Sequence, residues 1–215
     1  FLSNILAVIL TQADKVILSR MLSLSAFAHY SLAWTLAGIL TLVAIPVAGT
    51  FFPRLSRVSG GTSNDSTLAE PYHRASRLMA ALIWPLAAVL CLAPYHVLFA
   101  WSSDRELALK AASTLRLLAL GSAINAMMAV PYAAQIASGW TRLAIQANVV
   151  AVLVILPLTI ILTRLYGAVG GAVAWLALNT GYMVIAMPIM HMRILKGELR
   201  QWYLRDMALP MTGAI

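Results

Sequence analysis

The sequence predicts an all-α membrane protein built as a bundle of six transmembrane helices. Of its 215 residues, 61% are hydrophobic and only 10% are charged, whereas soluble domains are about 45–50% apolar and about 25% charged. The mean hydropathy is +0.85. The apolar residues fall into blocks of about 20 or more, which is the length that a helix needs to cross about 30 Å of hydrocarbon. Blocks of this length exclude the short strands of a soluble sandwich or barrel.

Short polar turns separate the six predicted spans, except for one longer connection after the second span. The spans cover residues 1–22, 27–50, 78–100, 112–134, 143–163 and 167–190. In the longer connection, the run GGTSNDST from Gly60 to Thr67 is typical of a flexible loop, because Gly, Ser, Asn and Asp favour turns over helix continuation. The basic run YHRASR then leads into the third span.

The distribution of Lys and Arg predicts how the bundle is oriented. One set of connections carries Arg54, Arg57, Arg74, Arg77, Arg142, Arg193, Lys196, Arg200 and Arg205, and the opposite set carries Arg20, Arg105, Lys110 and Arg164. The positive-inside rule places the first set, and both ends of the chain, in the cytoplasm. We therefore expect a multi-pass protein of the cytoplasmic (inner) membrane. Anionic lipid headgroups account for the net charge of +8, and we expect no nucleic-acid partner.

The two ends of the sequence indicate a piece of a longer protein. The first apolar block begins at Phe1 without a basic n-region or a cleavage site, so it is not predicted to be a signal peptide. The other end turns apolar again after Trp202. We therefore divide the chain into a transmembrane lobe at residues 1–190 and a basic cytoplasmic segment at residues 191–215 that leads into a further helix.

No pattern in the sequence is typical of an active site, a cofactor site or a metal site. The one cysteine, Cys91, lies in an apolar run, where a free Cys usually behaves as a small hydrophobic residue. The four histidines lack the i, i+3 or i, i+4 partner of a helix-borne metal site. The acids outside the first span all fall in predicted loops. We expect no enzyme activity, no metal and no cofactor.

Asp14 and Lys15 lie side by side within the otherwise apolar first span. On a helix, Asn4, Thr11, Gln12, Lys15 and Ser19 share one broad face, with Asp14 at its edge. Because adjacent residues do not face each other on a helix, each charge needs a partner on another helix or in water. Ionisable groups in a span usually face the bundle interior or a hydrated cavity. Alternatively, the span ends near Asp14, and Lys15 and Arg20 extend to the interface.

Three stretches resemble a known family. The run TQADKVILSRMLSLSAFAHYSLAWTLAG, followed by a span that ends in FFPRLSRV, resembles the first two helices of the second lobe of polysaccharide and O-antigen flippases. These belong to the multidrug/oligosaccharidyl-lipid/polysaccharide (MOP) exporter superfamily. The later LYGAVGGAVAWLALN resembles the glycine-rich start of that lobe's last helix, and the order and spacing agree over nearly the whole chain. The resemblance implies a two-lobe transporter, of which this chain is the second lobe.

The resemblance also implies a function, and the chemistry of its substrate then suggests candidate site residues, since no binding residue of the family is carried over. Such flippases move an undecaprenyl-pyrophosphate-linked oligosaccharide across the membrane by alternating access, for polysaccharide or lipopolysaccharide biosynthesis. An anionic, hydroxyl-rich substrate requires cations with polar and aromatic neighbours. The candidate lumen residues are Gln12, Lys15, Tyr30, Trp34 and Asn125, with Asp14 as a coupling-ion site or counter-charge and Arg20 and Arg116 as secondary cations. The expected partners are the lipid bilayer, the anionic lipid-linked oligosaccharide and the other lobe of the same polypeptide.

Two alternatives stay open. A drug or cation antiporter of the same superfamily shares the helix pattern but favours carboxylates within the membrane, and here only Asp14 lies within a span. A polytopic membrane enzyme of glycan assembly needs a large periplasmic loop or an Arg, His and Asp cluster. The balance of charges favours transport of an anionic substrate.

Overall fold

The computed structural model of the chain describes residue 12, residues 14–61 and residues 67–213. These residues form helices joined by short turns, without a strand, which confirms the predicted all-α class. The helices are α1 (residues 14–21), α2 (Leu24–Ser59), α3 (Ala69–Leu92), α4 (Pro94–Ser102), α5 (Arg105–Met127), α6 (Ala129–Ala137), α7 (Arg142–Tyr166), α8 (Ala168–Gly181), α9 (Met187–Ile194), α10 (Leu199–Gln201) and α11 (Leu209–Thr212). Two π-helical turns, π1 (Tyr182–Ala186) and π2 (Trp202–Ala208), join α8 to α9 and α10 to α11.

Five helical stretches of the described chain are long and apolar enough to cross a membrane. They are Leu24–Ser59, Ala69–Leu92, Arg105–Ala137, Arg142–Tyr166 and Ala168–Ile194. Each coincides with one of the predicted spans two to six. Most of the first predicted span lies outside the described residues, as does the central part of the GGTSNDST loop, so the first span stays a prediction.

The third span differs from its predicted bounds of 78–100 at both ends. Helix α3 already begins at Ala69, so the basic YHRASR run, which was predicted to precede the span, is helical. The helix then ends at Leu92, and Pro94 begins the separate helix α4. Proline has no amide hydrogen and disfavours helical geometry in the residue before it, here Ala93 with φ −121° and ψ 42°.

Helix α5 lies at the centre of the bundle and α7 at its edge. Helix α5 packs against α2, α3, α4 and α8. Of the most apolar window in the stretch formed by α5 and α6, 67% is buried, compared with 11% in α7. The outward side chains of α7 are apolar, among them Val150, Leu153, Val154 and Ile161. An apolar surface of this kind is suited to contact with the hydrocarbon core of a bilayer.

Glycines hold α7 and α8 together as a tight hairpin. Gly167, between the two helices, has φ +60° and ψ −136°, a conformation that residues with a side chain rarely adopt. A Cβ atom at Gly170 would lie 2.0 Å from the carbonyl oxygen of Leu162. At Gly171 it would lie 2.7 Å from Cδ2 of Leu18 on α1. The missing side chains therefore permit the close approach of three helices.

The C-terminal segment, residues 195–213, folds back onto α3. Trp202 on π2 is fully buried. The indole Nε1 of Trp84 on α3 donates a hydrogen bond of 3.0 Å to the backbone carbonyl of Met207. The segment thus contributes to the core of the bundle, while its assignment to the cytoplasm stays a prediction.

Candidate functional site

The candidate lumen residues of the first two helices lie close together. The Tyr30 hydroxyl donates a hydrogen bond of 2.7 Å to Oδ2 of Asp14. The Lys15 ammonium donates one of 3.2 Å to Oε1 of Gln12 and lies 5.2 Å from the centre of the Trp34 ring. Asp14 and Lys15 therefore each have a partner of their own, as the helical geometry predicts.

The two adjacent charges differ in their exposure. Asp14 is 9% exposed, and its Oδ1 has no hydrogen-bond partner among the described residues. Lys15 is half-buried, and the Gln12 side chain is exposed. Arg20 lies farther along α1 and is also exposed. The cation of Lys15 is thus accessible from outside the bundle, whereas the carboxylate next to it is not.

A row of polar contacts continues from Lys15 along α8 and into π1. Trp34 stacks edge to face on Trp175 of α8, with the ring centres 4.9 Å apart. Trp175, Asn179 and Tyr182 follow at i, i+4 and i+7, so they share one face of the helix. This polar row consists of Lys15, Trp34, Trp175, Asn179 and Tyr182.

Each of the last three members of the polar row bonds to a side chain on a neighbouring helix. The Trp175 indole donates to the Ser122 hydroxyl at 3.2 Å. The predicted lumen residue Asn125 donates to Oδ1 of Asn179 at 2.8 Å. The Tyr182 hydroxyl donates to Oδ1 of Asn148 at 2.6 Å. The row reaches about 10 Å along the helix at a rise of about 1.5 Å per residue.

The polar row ends in a groove of about 420 Å³ formed by α2, α5, α6, α7 and π1. Its polar lining residues are Thr41, Asn125, Tyr132, Gln135, Asn148 and Tyr182. A second groove, of about 410 Å³ and lined mainly by apolar residues, lies between α7 and α8 and π1. Leu143, Ala147, Tyr182 and Ala186 line both grooves. Tyr182 thus stands where a polar and an apolar surface meet, and both volumes fall in the range of small-molecule sites.

Arg116, a predicted secondary cation, has a local structural partner. Its Nε donates a hydrogen bond of 2.9 Å to the backbone carbonyl of Cys91, one residue before α3 ends. The last carbonyls of a helix have no partner within that helix. The break before Pro94 therefore accounts for the position of Arg116, while its role towards a substrate stays a prediction.

A second polar cluster, which the sequence did not predict, lies at the opposite end of the last span. We name Tyr72, His73, His191, Glu198 and Asp206 the histidine cluster. The prediction that the acids outside the first span fall in loops is wrong for Glu70 and Glu106, in the first turns of α3 and α5, and for Asp206, which is only 1% exposed in π2. The folding back of the C-terminal segment buries Asp206.

The contacts of the histidine cluster join residues that are 119 to 133 positions apart. His73 Nδ1 bonds to Oδ2 of Asp206, and its Nε2 lies 3.0 Å from Oε2 of Glu198. The Tyr72 hydroxyl lies 3.0 Å from Nε2 of His191. Within the described residues, no group of His, Cys, Asp and Glu side chains has the arrangement of a metal site. The one available signal was that all five residues lie near span ends assigned to the same side of the membrane.

The comparisons with known proteins agree with the resemblance over the first part of the chain. Residues 1–104 of the 215 match the family model described as polysaccharide biosynthesis protein. This part of the chain is therefore similar to polysaccharide biosynthesis proteins. The match covers α1 to α4, and the resemblance of LYGAVGGAVAWLALN lies beyond it. No curated protein and no solved structure matches the chain.

Proposed function

We propose that the chain is one lobe of a flippase that moves an undecaprenyl-pyrophosphate-linked glycan across the cytoplasmic membrane by alternating access. The match of residues 1–104 to polysaccharide biosynthesis proteins supports a role in this chemistry. The observation that carries the proposal is the polar row, which leads from the accessible cation of Lys15 to the groove beside Tyr182.

The residues of the row suit the parts of such a substrate. A pyrophosphate is anionic and favours a cation such as the Lys15 ammonium, which also has hydrogen-bond donors to offer. Sugar rings bind through hydroxyl groups and apolar faces, for which Trp34, Asn125 and Tyr182 supply the complementary groups. The apolar groove shared at Tyr182 suits the polyprenyl chain. One amphiphile therefore fits both surfaces.

Loss of glycan export in Lys15→Ala is the test of this proposal. The variant is made in the full-length protein and expressed in cells that depend on it for surface polysaccharide. Lys110→Ala is the matched control, because Lys110 is an exposed lysine paired with Glu106 in the same helix. We expect Lys15→Ala to abolish export at a normal protein level in the membrane and Lys110→Ala to leave it unchanged. Normal export by Lys15→Ala removes Lys15 from the site.

Aqueous accessibility tests whether the row lines a hydrated lumen. Single cysteines at positions 12, 15 and 19 are placed in a Cys91→Ser background and labelled with a membrane-impermeant thiol reagent. Val16, which is exposed on another face of α1, is the control position. We expect positions 12, 15 and 19 to react and position 16 to stay silent. Equal labelling at all four positions favours the interfacial alternative, in which α1 ends near Asp14.

A cation antiporter is the second candidate, and one observation favours it. Asp14 is a buried carboxylate whose Oδ1 has no partner within the described part of the chain, which is a feature of cation sites in membranes. The two candidates differ in which charge is essential. If Asp14→Asn abolishes resistance to a cationic drug and Lys15→Ala does not, the antiporter is correct. We propose transport rather than catalysis in both cases, with both ends of the chain in the cytoplasm.

A further inference from the structure

The histidine cluster contains an imidazole whose two ring nitrogens both face carboxylates. His73 lies on α3 and is 4% exposed. Asp206, at Nδ1, comes from π2, and Glu198, at Nε2, comes from the turn that precedes α10. Both carboxylates therefore belong to the C-terminal segment, and both hold that segment against α3.

The number of hydrogens in this arrangement follows from the chemistry of its groups. A neutral imidazole has one N–H and one lone pair, and an ionised carboxylate can only accept. Two contacts between nitrogen and carboxylate oxygen thus require two hydrogens among the three side chains. Either the imidazole is doubly protonated or one carboxyl is protonated, and the total is the same. The three side chains in this arrangement therefore hold one proton more than a neutral imidazole with two ionised carboxylates.

The other titratable groups around His73 do not supply this proton. His191 Nδ1 lies 2.8 Å from the Met187 carbonyl, to which it must donate, so its Nε2 accepts from the Tyr72 hydroxyl. His191 is thus fully bonded in its neutral form. Tyr203 on π2 donates to the carbonyl of Met183. Glu70, at the start of α3, is paired with Arg54 of α2 at 2.9 Å. The extra proton therefore belongs to His73 and its two carboxylates.

The burial of the groups shows which contact responds to loss of the proton. Asp206 is 1% exposed, and its Oδ1 has no hydrogen-bond partner among the described residues. An ionised carboxylate in such a place requires a compensating positive group. The Glu198 side chain is 31% exposed. Without the proton, a nitrogen lone pair faces a carboxylate, and Glu198 is the side chain that can leave into water.

We propose that His73, Glu198 and Asp206 form a proton-binding site that holds the C-terminal segment against α3, and that release of one proton loosens this segment. The site does not depend on what the chain transports. Its ligand is a proton from the aqueous phase that Glu198 faces. The closed segment binds one more proton than the open one, so a rise in pH favours opening and a fall in pH favours closure.

The C-terminal segment is also bonded to the π turn beside the polar groove. The Tyr203 hydroxyl donates a hydrogen bond of 2.5 Å to the carbonyl of Met183 in π1. Met183 follows Tyr182, which is one of the residues that line both grooves. When the segment loosens, the turn that positions Tyr182 loses this hydrogen bond. Release of the proton therefore affects the groove that Tyr182 lines.

Thiol labelling of the C-terminal segment measures its opening. In the full-length protein with Cys91→Ser, a cysteine replaces either Met207, which is 6% exposed, or Leu204, which is 53% exposed in the same turn. The ratio of the two labelling rates reports the opening, and the pH dependence of the thiol itself cancels. Rates are measured from about pH 5 to about pH 9, which brackets the titration of histidines in proteins. We expect the ratio to rise by up to about tenfold per pH unit between the pKa of the open site and that of the closed site, where one proton is released on opening, and to level off at higher pH.

Glu198→Gln distinguishes a proton site from a purely structural contact. In this variant, a neutral His73 can donate to Asp206 and accept from the newly introduced side-chain amide, so every contact survives without the extra proton. We expect the ratio to stay low at every pH. The matched control, Glu70→Gln, removes a carboxylate from the same helix as His73 and should keep the rise. His73→Gln should give a ratio that is independent of pH, even if the segment is looser.

Two results overturn the proposal. One is a ratio that does not rise with pH when His73, Glu198 and Asp206 are all present. The other is a Glu198→Gln variant that retains the same rise, because the titrating group then lies elsewhere.

Discussion

The two polar clusters at opposite ends of the bundle handle charge in different ways. Around α1, the Asp14 carboxylate is bonded to a neutral hydroxyl, and the Lys15 cation remains accessible beside Trp34. In the histidine cluster, the imidazole of His73 faces two carboxylates directly, and of these three side chains only Glu198 is partly exposed. A charge that is kept accessible can meet a ligand, whereas a charge that is compensated internally holds two segments together. We therefore expect the first cluster to matter more for transport and the second for stability.

Asp206→Ala should give the largest loss of stability. It leaves the His73 imidazole facing an empty space at a buried position, and removing one partner of a buried pair costs about 3–5 kcal/mol. The free energy of unfolding of the full-length protein in detergent measures this loss. In the double variant Asp206→Ala, His73→Ala, the loss should be smaller than the sum of the single losses. Additive losses contradict a direct interaction between the two side chains.

Asp14→Ala should have the next largest effect. The fully buried Tyr30 hydroxyl loses its acceptor, and a buried donor without a partner costs about 1–3 kcal/mol. Tyr30→Phe in the Asp14→Ala background removes that donor and should recover part of the stability. If Asp14→Ala alone leaves the free energy of unfolding unchanged, water reaches Tyr30, and the two clusters are less different than the structure indicates.

Tyr182→Phe should have a smaller effect. It removes one hydrogen bond, of 2.6 Å to Asn148, at the edge of a groove that water can enter. The expected loss is about 1 kcal/mol, the usual net value of one such bond. Tyr203→Phe is the matched comparison, since it removes the hydrogen bond to Met183 on the other side of π1. A loss of several kcal/mol in Tyr182→Phe means that the groove is dry.

Lys15→Ala should have the smallest effect on stability. Its contact with the Trp34 ring contributes about 0.5–1 kcal/mol at an accessible position. The same variant is expected to abolish export, so the order of the effects on stability and on transport is reversed between Lys15 and Asp206. Unfolding and export measured on both variants test that reversal, and a parallel loss of both properties contradicts it.

The sequence allowed the fold class and most spans to be predicted, because block length alone indicates a membrane helix. The predicted start of α3 was wrong, because Arg74 and Arg77 were assigned to a cytoplasmic connection although they lie on the helix. The C-terminal segment covers the other face of that helix, and its return could not be inferred from local pattern.

The two polar clusters also differ in how far they could be predicted from the sequence. Asp14 and Tyr30 are 16 positions apart on successive helices, and the helical geometry had indicated that Asp14 needs a partner on another helix or in water, without naming Tyr30. His73 and Asp206 are 133 positions apart. Their contact depends on the C-terminal segment, whose sequence has no hydrophobic periodicity from which its fold could be predicted. Positions within long apolar helices are constrained by the membrane, whereas positions in a short polar segment are constrained only by tertiary packing.

The glycine contacts between α7 and α8 determine which parts of the bundle can move independently. With the Gly170 backbone pressed against the Leu162 carbonyl, a change of angle between the two helices brings main-chain atoms into collision. The angle between α7 and α8 is therefore fixed, and the hairpin is a rigid unit. Bending is left to π1, where the α-helical bonding pattern changes just before Pro188. A bend at that turn would move α7 and α8 together as one unit.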